Sequence, residues 1–261
     1  MRRPALTLPA LKPTLFISDL HLSPADPATA QAFATFLAGP ARQAQALYIL
    51  GDLFEFWVGD DQLEDPFCAA QCRHIVDLAT HGVAVYFLPG NRDLLAGQRF
   101  ALACGLTLLP DPYLADIHGE RVLLAHGDAY CTDDHAYQRY RRCVSHPAVQ
   151  WLWFRLPRSV RNRALTRMRE KSQRQTARKP ASYTDVNSAS IEAAFTQAGI
   201  QTMIHGHTHR PAVHTHAQGT RYVLPDWHNG NGGYLQRDDA GWQMQWLGNP
   251  PAKTSLPAAN G

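Results

Sequence analysis

The sequence predicts an α/β fold in which a mostly parallel β-sheet is flanked by helices and followed by a second, more antiparallel sheet. Apolar, strand-like runs alternate with helix-like segments in the first half of the chain. After residue 205 the runs become short and are separated by glycine, proline and asparagine, which are typical of turns. The chain has 261 residues, of which 45% are hydrophobic, and this length fits one domain over residues 14–261.

The elements of the first sheet follow from local composition. Residues 1–13 contain three prolines and predict a flexible tail. Strand-like apolar runs occupy residues 14–18, 46–50, 83–89, 121–125 and 201–206. Helix-like segments separate the first three runs: one closes at Gly39 and Pro40, and the other has Pro66 near its start and Gly82 just past its end. Helix termini favour proline at the start and glycine after the end.

Residues 132–198 predict a helical insertion, or lid, because they lie between two predicted strands and show helical periodicity without strands of their own. Tyr137, Tyr140 and Val144, for example, would share one helix face. Short strands are then predicted at 211–217, 220–227, 232–238 and 241–248. Residues 248–261 predict a second flexible tail.

The basic residues are concentrated in the insertion. The net charge is only +3, but the stretch from Arg139 to Lys179 holds 13 of the 25 lysines and arginines and a single acidic residue, Glu170. Such a stretch is expected to meet an anionic partner, such as phosphates, nucleic acid or an anionic membrane. The alternative interpretation is a solvated helical face.

The cysteines and the apolar segments indicate the cellular compartment in which the protein is expected. The five cysteines form no Cys-x-x-Cys pair, and their odd number argues against a disulfide framework. Reduced thiols in a cytoplasmic protein are therefore expected. The N-terminus lacks the apolar segment of a signal peptide, and no segment approaches the roughly 18 apolar residues of a membrane span. Any membrane contact is expected to be peripheral.

Polar side chains follow each predicted strand at the point where the strand ends. These residues are Asp19, His21, Asp52, Asn91, His126, His207 and His209. Strand ends line the ligand crevice of open α/β sheets, so these side chains are expected to converge. Each pattern alone is weak, and the alternating histidines at 205–209 could form a surface cluster, but the joint pattern predicts a metal site. The lack of cysteine in the set favours a divalent ion such as Mn²⁺ over structural zinc.

The blocks DLH, GD, GN, HGD and GHTH occur in this order between residues 19 and 209. In these blocks the chain resembles the calcineurin-like metallophosphoesterases. The resemblance implies an α/β fold with a two-sheet β-sandwich flanked by helices. It also implies two metal ions, a recurring device of phosphoester hydrolysis. One ion would be held by Asp19, His21, Asp52 and His209, and the other by Asp52, Asn91, His126 and His207, with Asp52 as the bridge.

Arg92 departs from the pattern of many members of that family, which have histidine after Gly-Asn. That histidine is thought to help protonate a leaving alkoxide, whereas arginine stays protonated and cannot act as a general acid. A pyrophosphate hydrolase expels a phosphate whose second pKa is about 6 and which can leave without a proton. Arginine at this position therefore favours pyrophosphate cleavage, with Arg92 binding a phosphate through its guanidinium fork.

Longer blocks resemble one branch of the family, the UDP-2,3-diacylglucosamine pyrophosphatases of lipid A biosynthesis. The blocks are SDLHL, GDLFEFWVGDD, PGNRD, HGDAYCTDDHAYQRYR, IHGHTHRP and DWH. The resemblance implies Mn²⁺-dependent cleavage of a glycolipid nucleotide, UDP-2,3-diacylglucosamine, to UMP and 2,3-diacylglucosamine 1-phosphate (lipid X), by water attack on the α-phosphorus. It also implies a peripheral protein on the cytoplasmic face of the inner membrane, and we expect no nucleic-acid or protein partner.

The branch pattern also implies which residues act. Catalytic roles fall on Asn91, Arg92, His126 and His207. Substrate contacts fall on Asn91, Arg92, Asp134, Tyr137, Arg169, Ser172, Thr176, Lys179 and His207. Ser172 and Thr176 also fit the alternative of a polar helix face. Asp93 is expected to orient a ligand histidine from behind, and His205 is expected to be buried rather than a ligand.

The segment AVQWLWFRL places apolar residues inside the basic insertion, which suits acyl chains attached to a phosphate-bearing head. The alternative is that Trp151, Trp153 and Phe154 form the core of the insertion. Two rival functions remain: a broader phosphodiesterase or nucleotide pyrophosphatase of the same fold, and a nucleic-acid-binding module built on the insertion. Turnover that depends on Asp52 would separate an enzyme from a binding module.

Overall fold

The computed structural model describes residues 12–176 and 185–249, without the side chains of residues 169–176. Most of both predicted tails, residues 1–11 and 250–261, therefore lies outside the described residues. The strands are β1 (Thr14–Ile17), β2 (Ala46–Ile49), β3 (Ala84–Phe87), β4 (Thr107–Leu108), β5 (Tyr113–Ile117), β6 (Glu120–Leu124), β7 (Thr202–His205), β8 (Ala212–His216), β9 (Gly219–Val223), β10 (Gly232–Asp238) and β11 (Gly241–Leu247). The α-helices are α1 (Pro27–Ala38), α2 (Pro66–Thr80), α3 (Gln98–Cys104), α4 (His135–Val144), α5 (Pro147–Phe154), α6 (Arg158–Thr176) and α7 (Ser188–Ala198).

The first sheet contains three of the five predicted strand-like runs, those at 14–18, 46–50 and 83–89, whereas the runs at 121–125 and 201–206 form β6 and β7 of the second sheet. Its order is β11-β10-β1-β2-β3-β4, and β1 to β4 run parallel, with Leu15 beside Leu47. Parallel neighbours need crossover connections, and α1 and α2 supply them between the first three strands. The ends of these strands, Ile17, Ile49 and Phe87, therefore lie along one edge of the sheet, directly before the polar residues that follow them in sequence.

The second sheet has the order β5-β6-β7-β9-β8, in which β6, β7 and β9 are parallel and the two outer pairs are antiparallel. The prediction that all strands after residue 205 form this sheet is wrong for β10 and β11. These two strands extend the first sheet, where β10 runs antiparallel to β1 with Gln236 beside Leu15. Local alternation marks a strand but does not identify its partner, and the edge of β1 was left open by the parallel strands.

The two sheets pack face to face and helices cover their outer faces. Phe16, Tyr48, Leu124 and Ile204 belong to the buried cluster between the sheets. Helices α1 to α3 cover the outer face of the first sheet, and α7 covers the second, where Phe195 is buried. This layering confirms the predicted two-sheet α/β fold with flanking helices.

Aspartate side chains cap the starts of helices α1 and α2. The side chain of Asp26 accepts a hydrogen bond from the Thr29 amide at the start of α1. Asp65 does the same for the amides of Phe67 and Cys68 at the start of α2, where Pro66 is the first helical residue. Each of these side chains satisfies amides that have no partner inside the helix.

A disulfide between Cys72 and Cys104 joins α2 to α3, with Cα atoms 4.7 Å apart. The prediction of reduced thiols is therefore wrong for this pair. The prediction failed because α2 and α3 face each other and bring the two cysteines together, although they are 32 residues apart in sequence. Cys68, Cys131 and Cys143 are free thiols.

Helices α4 to α6 lie within the predicted insertion, between β6 and α7. No residue of α4 or α5 is buried, so this part of the chain forms no core of its own. Helix α7 also falls within residues 132–198, but it packs on the second sheet through Ile191 and Phe195. In the part of the chain that the structure describes, no helix combines the length and the apolar character needed to cross a bilayer.

Candidate active site

All seven predicted metal ligands lie in loops that leave the carboxyl ends of strands β1, β2, β3, β6 and β7. Backbone hydrogen bonds hold these loops against one another. The Asp19 amide donates to the Gly51 carbonyl at 3.1 Å, and the Gly206 amide donates to the His126 carbonyl at 2.8 Å. The His207 amide donates to Oδ2 of Asp19 at 2.8 Å, which joins the two sheets across their shared edge.

Asp19, His21 and His209 form the first group of candidate ligands. Their ligand atoms lie within 4.8 Å of one another. The two Nε2 atoms of His21 and His209 are 3.1 Å apart, and His209 Nε2 lies 3.4 Å from Oδ1 of Asp19. On its other side, His209 Nδ1 lies 3.5 Å from a carboxylate oxygen of Asp226, which orients the ring.

Asp52, Asn91, His126 and His207 form the second group. Oδ1 of Asn91 lies 2.9 Å from His126 Nε2 and 2.8 Å from His207 Nδ1. Oδ1 of Asp52 lies 3.6 Å from His126 Nε2, whereas its Oδ2 lies 3.8 Å from His21 Nδ1. The carboxylate of Asp52 thus has one oxygen facing each group, as the bridging role requires.

The donor set fits divalent metal ions. Asp19 Oδ1 and His21 Nδ1 are buried and form no hydrogen bond within the described residues, although each points at the cluster. Buried polar atoms are rarely left unpaired, because burial removes their hydrogen bonds to water and an unpaired atom gains none in exchange. Two imidazole nitrogens at 3.1 Å likewise need a shared proton or cation between their lone pairs. A bound divalent ion would satisfy all of these atoms.

Five of the candidate ligands have a left-handed backbone conformation. Their φ angles are 54° at Asp19, 49° at His21, 53° at Asp52, 67° at His207 and 52° at His209. This region is unfavourable for residues with a side chain, and it persists only where the surrounding structure enforces it. The loops therefore hold these side chains inward at a cost in backbone energy, a pattern that is typical of functional sites.

Gly90 is required by the close approach of two loops. A Cβ atom at this position would lie 2.3 Å from Oδ1 of Asp52 and 2.5 Å from its amide nitrogen. Only glycine lets the loop after β3 reach the loop after β2, which brings Asn91 next to Asp52.

The carboxylate of Asp93 does not orient a histidine, so that prediction is wrong. Asp93 is fully buried and accepts hydrogen bonds from the backbone amides of Gly90 at 2.7 Å, Asp52 at 3.1 Å and Leu53 at 2.7 Å. The physical reason is that the tight turn after β3 directs Asp93 back toward the loop after β2. Asp93 therefore fixes the position of Asp52 through its backbone.

Arg92 lies at the edge of the second group. Its Nη1 donates to Oε1 of Glu55 at 2.7 Å, its Nε lies 3.4 Å from Oδ2 of Asp52, and its amide donates to Oδ1 of Asp52 at 2.9 Å. The side chain is 28% exposed, so part of it remains accessible to a ligand. Glu55 is a functional candidate that the sequence analysis missed; its position in the block GDLFEFWVGDD was the available signal.

Burial and mutual repulsion set the protonation of the cluster. Burial and the neighbouring carboxylates Asp93 and Asp19 raise the pKa of Asp52. Burial would lower the pKa of His126, but the carboxylates of Asp52 and Asp19 outweigh it and raise that pKa. Burial and the nearby His126 lower the pKa of His207 to about 4. A bound cation would favour ionised Asp52 and neutral His126, the forms that bind metals.

The structure describes the side chains of only some of the predicted substrate contacts in the insertion. The ring of Tyr137 stacks on His207 with centroids 6.3 Å apart, which places it at the cluster. Asp134 caps α4 by accepting a hydrogen bond from the Tyr137 amide at 3.1 Å. The backbone of α6 includes Arg169, Ser172 and Thr176, whose side chains are outside the description, and Lys179 lies outside the described residues. The contact roles of all these residues stay predictions.

A partly buried network behind His126 was also missed. Arg141 of α4 donates from Nη2 to Oδ2 of Asp111 at 2.6 Å and from Nε to Oδ2 of Asp128 at 2.8 Å. Oδ1 of Asp111 in turn accepts the His126 amide at 3.1 Å, and the Tyr137 hydroxyl donates to Asp128. The block HGD signalled Asp128, but nothing local pointed to Asp111.

His205 is buried, as predicted. Its Nε2 lies 2.9 Å from Nη1 of Arg221 and accepts from it, and its Nδ1 can then donate to the carbonyl of Gly206 at 2.9 Å. Both ring nitrogens are thus engaged away from the cluster. Burial and the charge of Arg221 lower the pKa of His205 to about 3, so the ring is neutral.

Comparison with known proteins identifies the family of this chain. Residues 12–211 match the calcineurin-like phosphoesterase family. The chain is 43% identical over 248 residues to the UDP-2,3-diacylglucosamine hydrolase of Edwardsiella ictaluri, covering 93% of this chain and 95% of that protein. The corresponding identity is 47% for the hydrolase of Aromatoleum aromaticum, with 87% and 94% covered, and 45% for that of Neisseria meningitidis serogroup B, with 88% and 96% covered. The chain therefore belongs to the calcineurin-like phosphoesterases and, within them, to the family of the UDP-2,3-diacylglucosamine hydrolases.

Proposed function

We propose that the protein hydrolyses the pyrophosphate bond of UDP-2,3-diacylglucosamine and releases UMP and 2,3-diacylglucosamine 1-phosphate, a step of lipid A biosynthesis. The observation that carries the proposal is the position of Arg92 beside Asp52 at the cluster, in a chain whose relatives at 43–47% identity are UDP-2,3-diacylglucosamine hydrolases. A permanently charged guanidinium suits a substrate that carries two adjacent phosphates.

Two Mn²⁺ ions are the proposed cofactors. Asp19, His21, Asp52 and His209 would hold one ion, and Asp52, Asn91, His126 and His207 the other. When bound, such ions acidify the attacking water and neutralise charge on the phosphorus oxygens. Borderline imidazole donors combined with hard oxygen donors suit Mn²⁺, and the set contains no thiolate.

The residues around the cluster would orient the substrate. Arg92 would bind the pyrophosphate from the side of Glu55. The neighbouring Asn91, held between His126 and His207, would contact the substrate as well as a metal ion. Water attacks the α-phosphorus, and the bond from that phosphorus to the bridging oxygen breaks. The leaving sugar phosphate departs with the bridging oxygen and needs no proton at neutral pH, because its second pKa is about 6. An arginine in place of a general acid is therefore compatible with turnover.

The insertion would receive the acyl chains and contact a membrane surface. Trp151 and Phe154 of α5 are 59% and 47% exposed, as is Leu152 at 61%, so these side chains do not fit the alternative of an insertion core. Trp153 is half-buried and donates from Nε1 to the Val58 carbonyl. Arg155 stacks over the Trp151 ring at 3.9 Å, so positive charge borders the apolar face. Buried acyl chain contributes about 0.8 kcal/mol per methylene, and each basic residue near an anionic leaflet about 1 kcal/mol. We propose peripheral association with the cytoplasmic face of the inner membrane.

The test is a substrate panel with the purified protein and Mn²⁺. UDP-2,3-diacylglucosamine, a cyclic nucleotide and DNA are supplied separately, and UMP release and phosphodiester cleavage are measured. The proposal predicts UMP from the glycolipid nucleotide alone. Strong cleavage of the cyclic nucleotide or DNA without UMP release would instead support a broader phosphodiesterase. Salt-dependent DNA binding without any turnover would support the nucleic-acid-binding module.

A further inference from the structure

Arg161 of α6 is a buried arginine outside the cluster. Its side chain is only 4% exposed. Nη1 donates to the carbonyl of Val58 at 2.5 Å, Nε donates to the carbonyl of Leu156 at 3.0 Å, and Nη2 donates to the carboxylate of Asp61. A buried guanidinium is costly unless its donors are paired, so these bonds define one position for α6 relative to the loop after β2.

The loop after β2 is shaped to receive the insertion. The Val58 carbonyl also accepts from Nε1 of Trp153 at 3.0 Å, and the Asp61 carbonyl accepts from Nη1 of Arg158 at 2.9 Å. Gly59 lies between these acceptors with a φ of 142°, and a Cβ atom there would lie 2.5 Å from Nη1 of Arg161. The absence of a side chain at this position is what admits the guanidinium.

The same loop is fixed to the active site. The amide of Trp57 donates to the carbonyl of Arg92 at 2.9 Å, and Trp57 itself is 1% exposed. Asp60 accepts from Nε1 of Trp57 at 3.1 Å and from the Gly97 amide at 2.9 Å. Residues 57–61, which belong to the block GDLFEFWVGDD, thus connect the insertion on one side to the turn that carries Arg92 on the other.

We propose that Arg161 is a positioning residue for the glycolipid nucleotide, which it serves by fixing α5 and α6 against residues 57–61. The inference rests on the proposed function. Arg161 does not face the cluster, so it acts through α6, whose later turns carry the predicted contacts Ser172 and Thr176. Loss of Arg161 loosens the surface that holds the sugar and acyl chains, while the metal ligands keep their own supports in the loops after the strands.

The experiment compares Arg161→Met and Arg161→Lys with Arg73→Met, a control that removes the same charge from an exposed position on α2. The KM and kcat for UDP-2,3-diacylglucosamine are measured with Mn²⁺. Mn²⁺ affinity is measured by calorimetry, and tryptic cleavage within residues 135–176 is followed by mass spectrometry. We expect Arg161→Met to raise KM at least tenfold and to speed cleavage of the insertion, with Mn²⁺ affinity within twofold of the unmodified protein. Arg73→Met is expected to change none of these quantities.

Lysine retains the positive charge but carries its three donors on a single atom, so it cannot reach all three acceptors of Arg161. The KM of Arg161→Lys is therefore expected to lie between that of Arg161→Met and that of the unmodified protein. Asp61→Asn, which keeps the shape of the acceptor, provides a second variant if Arg161→Met does not fold. An unchanged KM in folded Arg161→Met, or a parallel loss of Mn²⁺ affinity, would overturn the inference. Failure of the unmodified protein to release UMP would instead contradict the proposed function.

Discussion

The guanidinium of Arg92 is held by Glu55, with Nη1 and Oε1 at 2.7 Å, while its Nε faces Asp52 at 3.4 Å. Two carboxylates thus place a permanent positive charge beside the candidate metal ligands. The pairing also limits how far the long arginine side chain can move, which reduces the entropy lost when it binds a phosphate.

Replacing Arg92 with alanine should reduce catalysis without emptying the metal site. A hydrogen bond to a charged group contributes about 1.5–3 kcal/mol, so kcat/KM should fall by roughly 10- to 150-fold. Steady-state kinetics gives the loss, and elemental analysis of the purified variant gives the metal content. An Arg92→Ala protein without bound metal would show that the side chain supports the cluster and does not act on substrate alone.

Asp93→Asn should destabilise the protein although the two side chains have nearly the same shape. Asparagine has a single side-chain oxygen, so its NH2 group would face either the Leu53 amide, which now donates to Oδ2, or the Gly90 amide, which now donates to Oδ1. Because hydrogen bonds to a charged acceptor contribute about 1.5–3 kcal/mol each, the free energy of unfolding should fall by about 3 kcal/mol in urea titration. Asp77→Asn is the control: its carboxylate is 54% exposed and pairs with Arg42, so the loss should stay within about 1 kcal/mol. Equal losses would remove the assigned role of Asp93.

Metal binding should be visible in the melting temperature. A ligand at 100 times its Kd stabilises the folded state by about 2.7 kcal/mol, which corresponds to a shift of roughly 5–10 °C for a chain of this size. Mn²⁺ is therefore expected to raise Tm by that amount after EDTA treatment. Asp52→Asn should lose most of the shift together with turnover. A full shift and retained turnover in Asp52→Asn would contradict the bridging role of this carboxylate.

The exposed face of α5 should contribute to binding of lipid. Trp151→Ser combined with Leu152→Ser removes side chains that would each contribute about 1.5–3 kcal/mol when fully buried. Partition onto vesicles that contain anionic lipid should fall at least tenfold, as measured by co-sedimentation. Leu102→Ser is the control, because Leu102 is 81% exposed on α3, outside the insertion. An equal effect of both changes would indicate nonspecific adsorption.

Much of the site was predictable because its residues follow strands that local composition reveals. The apolar runs before Asp19, Asp52 and Asn91 form the neighbouring parallel strands β1, β2 and β3. The carboxyl ends of parallel strands lie along the same edge of a sheet. The left-handed backbone at Asp19 and Asp52 was not predictable. It is imposed by contacts between loops, whereas an aspartate in isolation does not favour that conformation.

The remaining differences concern partners that are distant in sequence. Strand β10 pairs with β1, which lies more than 200 residues earlier in the sequence. The carboxylate of Asp93 accepts hydrogen bonds from the backbone amides of Asp52 and Leu53. The pairing of Cys72 with Cys104 likewise depends on how α2 and α3 face each other. Periodicity in one sequence identifies an element and its buried face, but it carries no information on which other element covers that face.

Hydrolysis in ¹⁸O-labelled water tests the account most directly. The unmodified protein is incubated with Mn²⁺ and UDP-2,3-diacylglucosamine, and both products are analysed by mass spectrometry. Water attack on the α-phosphorus predicts UMP with one ¹⁸O atom and unlabelled 2,3-diacylglucosamine 1-phosphate. Label in the sugar phosphate, or no release of UMP, would contradict the proposed reaction.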